Sequence, residues 1–177
     1  MTNQKYFNSK YMYRILLLLL SLFILNACSQ STPTDTVSVY NFHDKEQLEA
    51  YTALNLDDTH PNLLNPQVSQ DEISKVIGTW SDLHQRVGKH LAEHNFSWGV
   101  EDSSIAIVQK IYFKPDGEVT HYFFNVLNKS VSMKKSVSMK KKEEFSNLLK
   151  SFASENKINI TREEQFAQCG KTRYMNL

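Results

Sequence analysis

The residues with the most evident chemical potential are His90-Leu91-Ala92-Glu93-His94. Side chains four apart on a helix share a face, so the two imidazoles can close on one Zn²⁺ while Glu93 polarises a metal-bound water. That is the chemistry of a zinc-dependent hydrolase. The plainer expectation, a solvated or packed histidine pair, is preferred, because a short match in a chain with six histidines counts only in the right structural context. Cys169 has no C-x-x-C or Cys-His-Asn companion and reads as an inert core thiol. The sequence holds no Walker loop, dinucleotide glycine fingerprint, nucleophile elbow or Ca²⁺ loop. The expectation is a non-enzymatic interaction or structural domain, with the zinc hydrolase as the alternative.

A second chemical signal lies at the start of the chain. Residues 1–14 are polar and carry Lys5, Lys10 and Arg14, and the apolar run Ile15 to Leu25 follows, broken only by Ser21. Eleven helical residues span roughly 16 Å, about half a bilayer's hydrocarbon core, so the run reads as a cleaved signal peptide over residues 1–27. Leu25-Asn26-Ala27-Cys28 resembles the lipobox of bacterial lipoprotein precursors. The resemblance implies cleavage between Ala27 and Cys28, a diacylglycerol on the Cys28 sulfur and acylation of the new amino terminus. Several chains, at about 0.8 kcal/mol per buried CH₂, make a firm membrane anchor, and no cofactor besides this covalent lipid is expected. Ser29 is not the aspartate that resembles an inner-membrane retention signal, which implies the outer membrane if the source is Gram-negative. The pattern at 90–94 is similar to the H-x-x-E-H of inverted zinc peptidases, which implies a third, glutamate ligand on a later helix; Glu163 and Glu164 are the candidates.

Charge narrows the partners. Of 20 Lys+Arg and 19 Asp+Glu, three cations and no acid precede Cys28, so the mature chain carries 17 against 19. A domain so nearly neutral lacks the basic surface that nucleic acid requires. Lys129 to Lys142 holds SVSMKK twice, at 130–135 and 136–141, with six lysines and no acid. It reads as a solvated connecting loop; the alternative is a patch facing anionic lipid, where each lysine contributes about 1 kcal/mol.

The elements that must position these residues follow from periodicity. Residues 28–36 are the lipidated cysteine and a small, polar tether, and one domain is expected over 37–177. Asp44 and Gln47 have capping spacing for a helix over 44–54, and 55–67 reads as loop. A capping box at Ser69 and Glu72 opens a helix to about Asn95, with Ile73, Val76, Ile77, Trp80, Leu83, Val87 and Leu91 on one stripe. Residues 105–114 and 119–128 flank Pro115-Asp116-Gly117-Glu118 as a hairpin, with Tyr112, Phe113, Tyr122, Phe123 and Phe124 divided between its faces. A helix over 142–156, a third strand at Ile158 to Ile160 and a short helix from Thr161 to Gly170 complete the pattern. This gives an α+β fold, a small antiparallel sheet packed against two main helices. From about residue 105 to 161 the hairpin, helix and strand resemble the C-terminal domain of TonB-type energy transducers. That family's uncleaved anchor and proline-rich spacer have no counterpart here, so the likeness implies only that such a fold can bind peptide by adding a strand. The expected partners are the membrane, through the lipid, and a cell-envelope protein or peptide.

Overall fold

The structure is a computed structural model that describes residues 36–127 and 136–176. The expected signal peptide, Cys28, the expected tether up to residue 35, Lys129 and the first SVSMKK copy lie outside the described residues. In chain order the elements are β1 (Ser38–Asn41), α1 (Lys45–Ala53), α2 (Ile73–Glu93), β2 (Ser104–Phe113), β3 (Val119–Val126), α3 (Met139–Glu155) and β4 (Phe166–Met175). The strands form one sheet in the order β1-β3-β2-β4, parallel between β1 and β3 and antiparallel elsewhere. The fold is α+β.

Alternation along β2 sets the two faces of the sheet. Ile105, Ile107, Ile111 and Phe113 are fully buried and join α2 and α3 in the core. The opposite face carries Val108, Lys110 and Tyr112 and receives α1, whose Tyr51 ring stacks on Phe123 at 4.3 Å. At the centre of the core Phe145 of α3 meets Phe124 edge-on at 5.1 Å and Trp98 at 4.8 Å. Each such fully buried aromatic or aliphatic side chain contributes about 1.5–3 kcal/mol, against about 1 kcal/mol for a cap, so burial rather than local propensity holds the layers together.

Several elements sit where periodicity predicts. Asp44 caps α1, accepting from the Gln47 backbone N–H at 3.1 Å. The β2–β3 hairpin turns through Gly117 at φ +87°. Other expectations change. The capping box at Ser69 does not form: Glu72 itself precedes the helix, and its carboxylate instead pairs with Arg162 at 2.7 Å. Ile77 is 51% exposed, because the buried stripe centres on Val76, Trp80, Leu83 and Val87 and turns Ile77 outward.

The second SVSMKK copy is loop only as far as Ser138; Met139, Lys140 and Lys141 form the first turn of α3. Ser138 caps α3 through Lys141 N–H, and Val137 before the cap and Lys142 four residues after it are both buried, the positions of a hydrophobic staple. Lys141 reaches Glu144 at 2.8 Å, which leaves Lys140 as the exposed lysine of 140–142.

The third antiparallel strand is not Ile158 to Ile160, whose side chains are buried beneath the hairpin turn, but β4, where a helix ending at Gly170 is expected. All ten residues of β4 pair with β2, from Phe113–Phe166 to Ser104–Met175. A buried β2 with one unpaired edge would strand a row of donors and acceptors, at a cost exceeding any local helical preference.

A Cβ on Gly117 would lie 2.6 Å from the Ile158 carbonyl oxygen and 3.0 Å from that of Ile160. Gly117→Ala combines that collision with an unfavourable φ. It should lower the unfolding free energy by about 2–3 kcal/mol in urea titration, and a loss below about 0.5 kcal/mol would mean the turn is not packed this way.

Candidate functional site

His90 and His94 do come together at the end of α2, with ring centroids 4.3 Å apart. Their surroundings are those of a helix terminus: His94 Nδ1 lies 2.8 Å from the His90 carbonyl oxygen, and Glu93 is drawn to Lys89 at 3.6 Å. Burial, followed by the neighbouring imidazole, pushes His90 below its usual pKa. Among the described residues no group of three His, Cys, Asp or Glu side chains is placed to hold a metal ion, and neither Glu163 nor Glu164 completes one.

On the far face of the sheet, Cys169 is half-buried rather than a core residue, opposite Lys110 in the β2–β4 register. Burial pushes its thiol up, away from the reactive thiolate. Beside it the Tyr112 hydroxyl lies 2.6 Å from that of Tyr51 and donates to Asp57 at 2.8 Å, and Lys110 pairs with the same carboxylate. Burial acts to raise Asp57, but the hydrogen bonds from Lys110 and Tyr112 outweigh it and hold the carboxyl below its usual range. Tyr112 is raised by burial and by both partners. A protonated tyrosine and an ionised, paired aspartate bind α1 and the 3₁₀ turn Leu56–Asp58 to the sheet; every polar group in the cluster is already engaged.

The most distinctive feature is the outer edge of β4. The even-numbered residues of β4 point their backbone groups at β2, so the odd-numbered ones point outward. Along the first half a loop occupies that edge. Ala167 N–H donates to the Pro61 carbonyl at 3.0 Å and its own carbonyl accepts from Leu63 N–H at 2.8 Å, while Cys169 N–H donates to Asn62 Oδ1 at 3.0 Å. The cover stops there. The outward N–H and C=O of Lys171 and Arg173 have no partner among the described residues.

Beside this open stretch runs a groove of about 570 Å³, walled by Trp80, His84, Gly88 and Leu91 of α2 and floored by residues 171–175. Two glycines shape it. A Cβ on Gly170 would lie 2.9 Å from Trp80 Cζ2, so only glycine lets that indole rest on the strand; a Cβ on Gly88 would meet nothing closer than the Tyr174 ring at 3.9 Å.

A buried polar relay fixes the floor. Tyr122 donates to Gln109 Oε1, Gln109 Nε2 donates to Thr172 Oγ1 and to Tyr174 Oη at 3.2 Å, and Tyr174 Oη lies 2.6 Å from His84 Nδ1. His84 Nε2 is buried without a partner among the described residues. No family model, curated protein or solved structure matches this chain.

Neither the groove nor the open edge was among the residues that sequence motifs single out. The signal available was Gly88, which a helical reading treats as a weak point, and Gly170, which the same reading takes as the end of a short helix. Cys28 lies outside the described residues.

Burial holds the His84 pKa at about 3, well below the ordinary 6.5. The unfolded chain therefore takes up the proton first, so the contribution is intact above about pH 6.5 and is lost as pH falls toward 3. His90 and His121 are shifted the same way, chiefly by burial. Stability should fall by on the order of 1 kcal/mol per pH unit in that window, and His84→Gln should flatten the slope. An unchanged slope in urea titrations at pH 6.5, 5.5 and 4.5 would place the imidazole in water instead.

Proposed function

We propose that this chain is a membrane-anchored bacterial lipoprotein, tethered through lipid on Cys28, whose α+β domain is a non-enzymatic interaction module. It takes an extended segment of a cell-envelope protein as a fifth strand on the open half of β4. The observation that carries the reading is the change along one edge: Pro61–Leu63 already occupies it as far as Cys169, and from Lys171 onward the same row of donors and acceptors has no partner among the described residues. Strand addition draws affinity from those main-chain hydrogen bonds and specificity from pockets for alternate side chains, here the groove under α2. Among the described residues no helix is long and apolar enough to cross a membrane. No observation favours the zinc-hydrolase alternative, since Glu93 faces Lys89 rather than a site between the imidazoles.

The anchor and the edge are tested separately. Metabolic labelling with an alkyne fatty acid should mark the wild type, and Cys28→Ser should lose both the label and the cleavage before residue 28. An unlabelled wild type, or a serine variant processed normally, would contradict the anchor.

For the edge, a photo-crosslinking residue at the exposed Gln85 beside the groove should trap a discrete envelope protein in living cells. Arg173→Pro removes one outward N–H and leaves the β2 pairing intact, so it should abolish that adduct while changing stability by under about 1 kcal/mol. An adduct that persists in the proline variant, or no adduct at all, would count against strand addition.

A further inference from the structure

From the edge reading just given, on which this inference rests, we infer the chemistry of the segment that docks: an extended strand with two acidic residues two positions apart and an apolar residue between them. The two faces of β4 dictate that pattern. Lys171 and Arg173 are register partners of Val108 and Ala106, so their side chains share the face that carries Lys110, turned away from α2. Both are exposed, and neither forms an ion pair among the described residues. Thr172 and Tyr174 between and beside them face α2 and floor the groove.

A strand laid along this edge alternates in the same way. Its residues opposite Lys171 and Arg173 stand on the cationic face, where acidic side chains form two cross-strand ion pairs. The residue opposite Thr172 enters the groove between Trp80 and Leu91, where an apolar side chain leaves water. The same two cations exclude the simplest other occupant. A second copy pairing through its own β4 would set Lys171 and Arg173 against Lys171 and Arg173, and like charges directly opposite are destabilising. A partner strand with the complementary sign removes that repulsion.

The test uses the full chain purified in detergent and fluorescent eight-residue peptides with a central Glu-Val-Glu-Val. Matched controls replace both Glu by Gln, replace both by Lys, or keep the composition and place the two Glu side by side, which sends them to opposite faces. Two cross-strand pairs should make the alternating acidic peptide bind roughly threefold to thirtyfold tighter than the Gln peptide. The gap should close in high salt. Lys171→Glu combined with Arg173→Glu should reverse the preference toward the Lys peptide.

Gly88→Leu fills the groove from a helix position where a Cβ makes only ordinary contact with the Tyr174 ring at 3.9 Å, and should weaken every peptide at least tenfold without unfolding the domain. Equal binding of the Glu and Gln peptides would overturn the acidic specificity and leave strand addition standing. Equal binding of the alternating and side-by-side peptides would overturn the facial argument in favour of charge alone. Binding of none of them, with the domain folded by circular dichroism, would overturn both this inference and the strand-addition reading beneath it.

Discussion

The pairing of β2 on both of its edges is the constraint from which the rest of the structure follows. β2 is buried along most of its length, so its backbone donors and acceptors have no water to fall back on. β3 supplies one edge through a short turn, and β4 must supply the other from the end of the chain. Once β4 is in place, Ile105, Ile107, Ile111 and Phe113 are fixed toward α2 and α3, and Tyr112 and Lys110 toward α1 and the 3₁₀ turn. The buried relay from Tyr122 through Gln109 and Tyr174 to His84 is a second consequence, tying by side chains the three strands that the ladder ties by backbone and adding α2 to them.

Satisfying β2 transfers the unpaired row to the outside of β4. There the molecule treats the two halves differently. Asn62 and its neighbours mimic a short parallel strand at Ala167 and end at Cys169. Beyond that point no described residue covers the edge, which is cationic on one face and grooved on the other. Lysine and arginine on an edge strand discourage aggregation of like copies, and the same charges give direction to a partner of opposite sign. A backbone requirement in the core thus leaves, on the far side of β4, the edge on which strand addition is proposed.

How much of this was legible in the sequence depended on whether the signal was local. The hairpin was, because Pro115, Asp116 and Gly117 set the turn and the aromatic residues on either side alternate. So was α2, whose stripe from Val76 to Leu91 keeps the helical period even through Gly78 and Gly88. β4 was not: Gln168, Cys169, Gly170, Lys171 and Thr172 carry no strand alternation, and Thr161 with Glu164 imitates a helix start. Its conformation comes from the free edge of β2, some 60 residues earlier in the chain. β1 was missed because four residues give too short a period to read. The groove was hidden for a related reason, since it exists only where Gly88 and Gly170, remote in sequence, face one another's elements. The histidine pair was legible and does meet, but His94 is turned to the His90 carbonyl and Glu93 to Lys89.

The most direct measurement is amide hydrogen exchange along β4 in the folded protein, residue by residue. The account gives an alternating profile that changes at Cys169: Ala167 and Cys169 protected by the Pro61–Asn62 cover, Thr172 and Tyr174 protected by β2, and Lys171 and Arg173 exchanging rapidly. Protection of Lys171 and Arg173 equal to that of Thr172 would contradict it, because the edge would then already be filled and could not receive another strand.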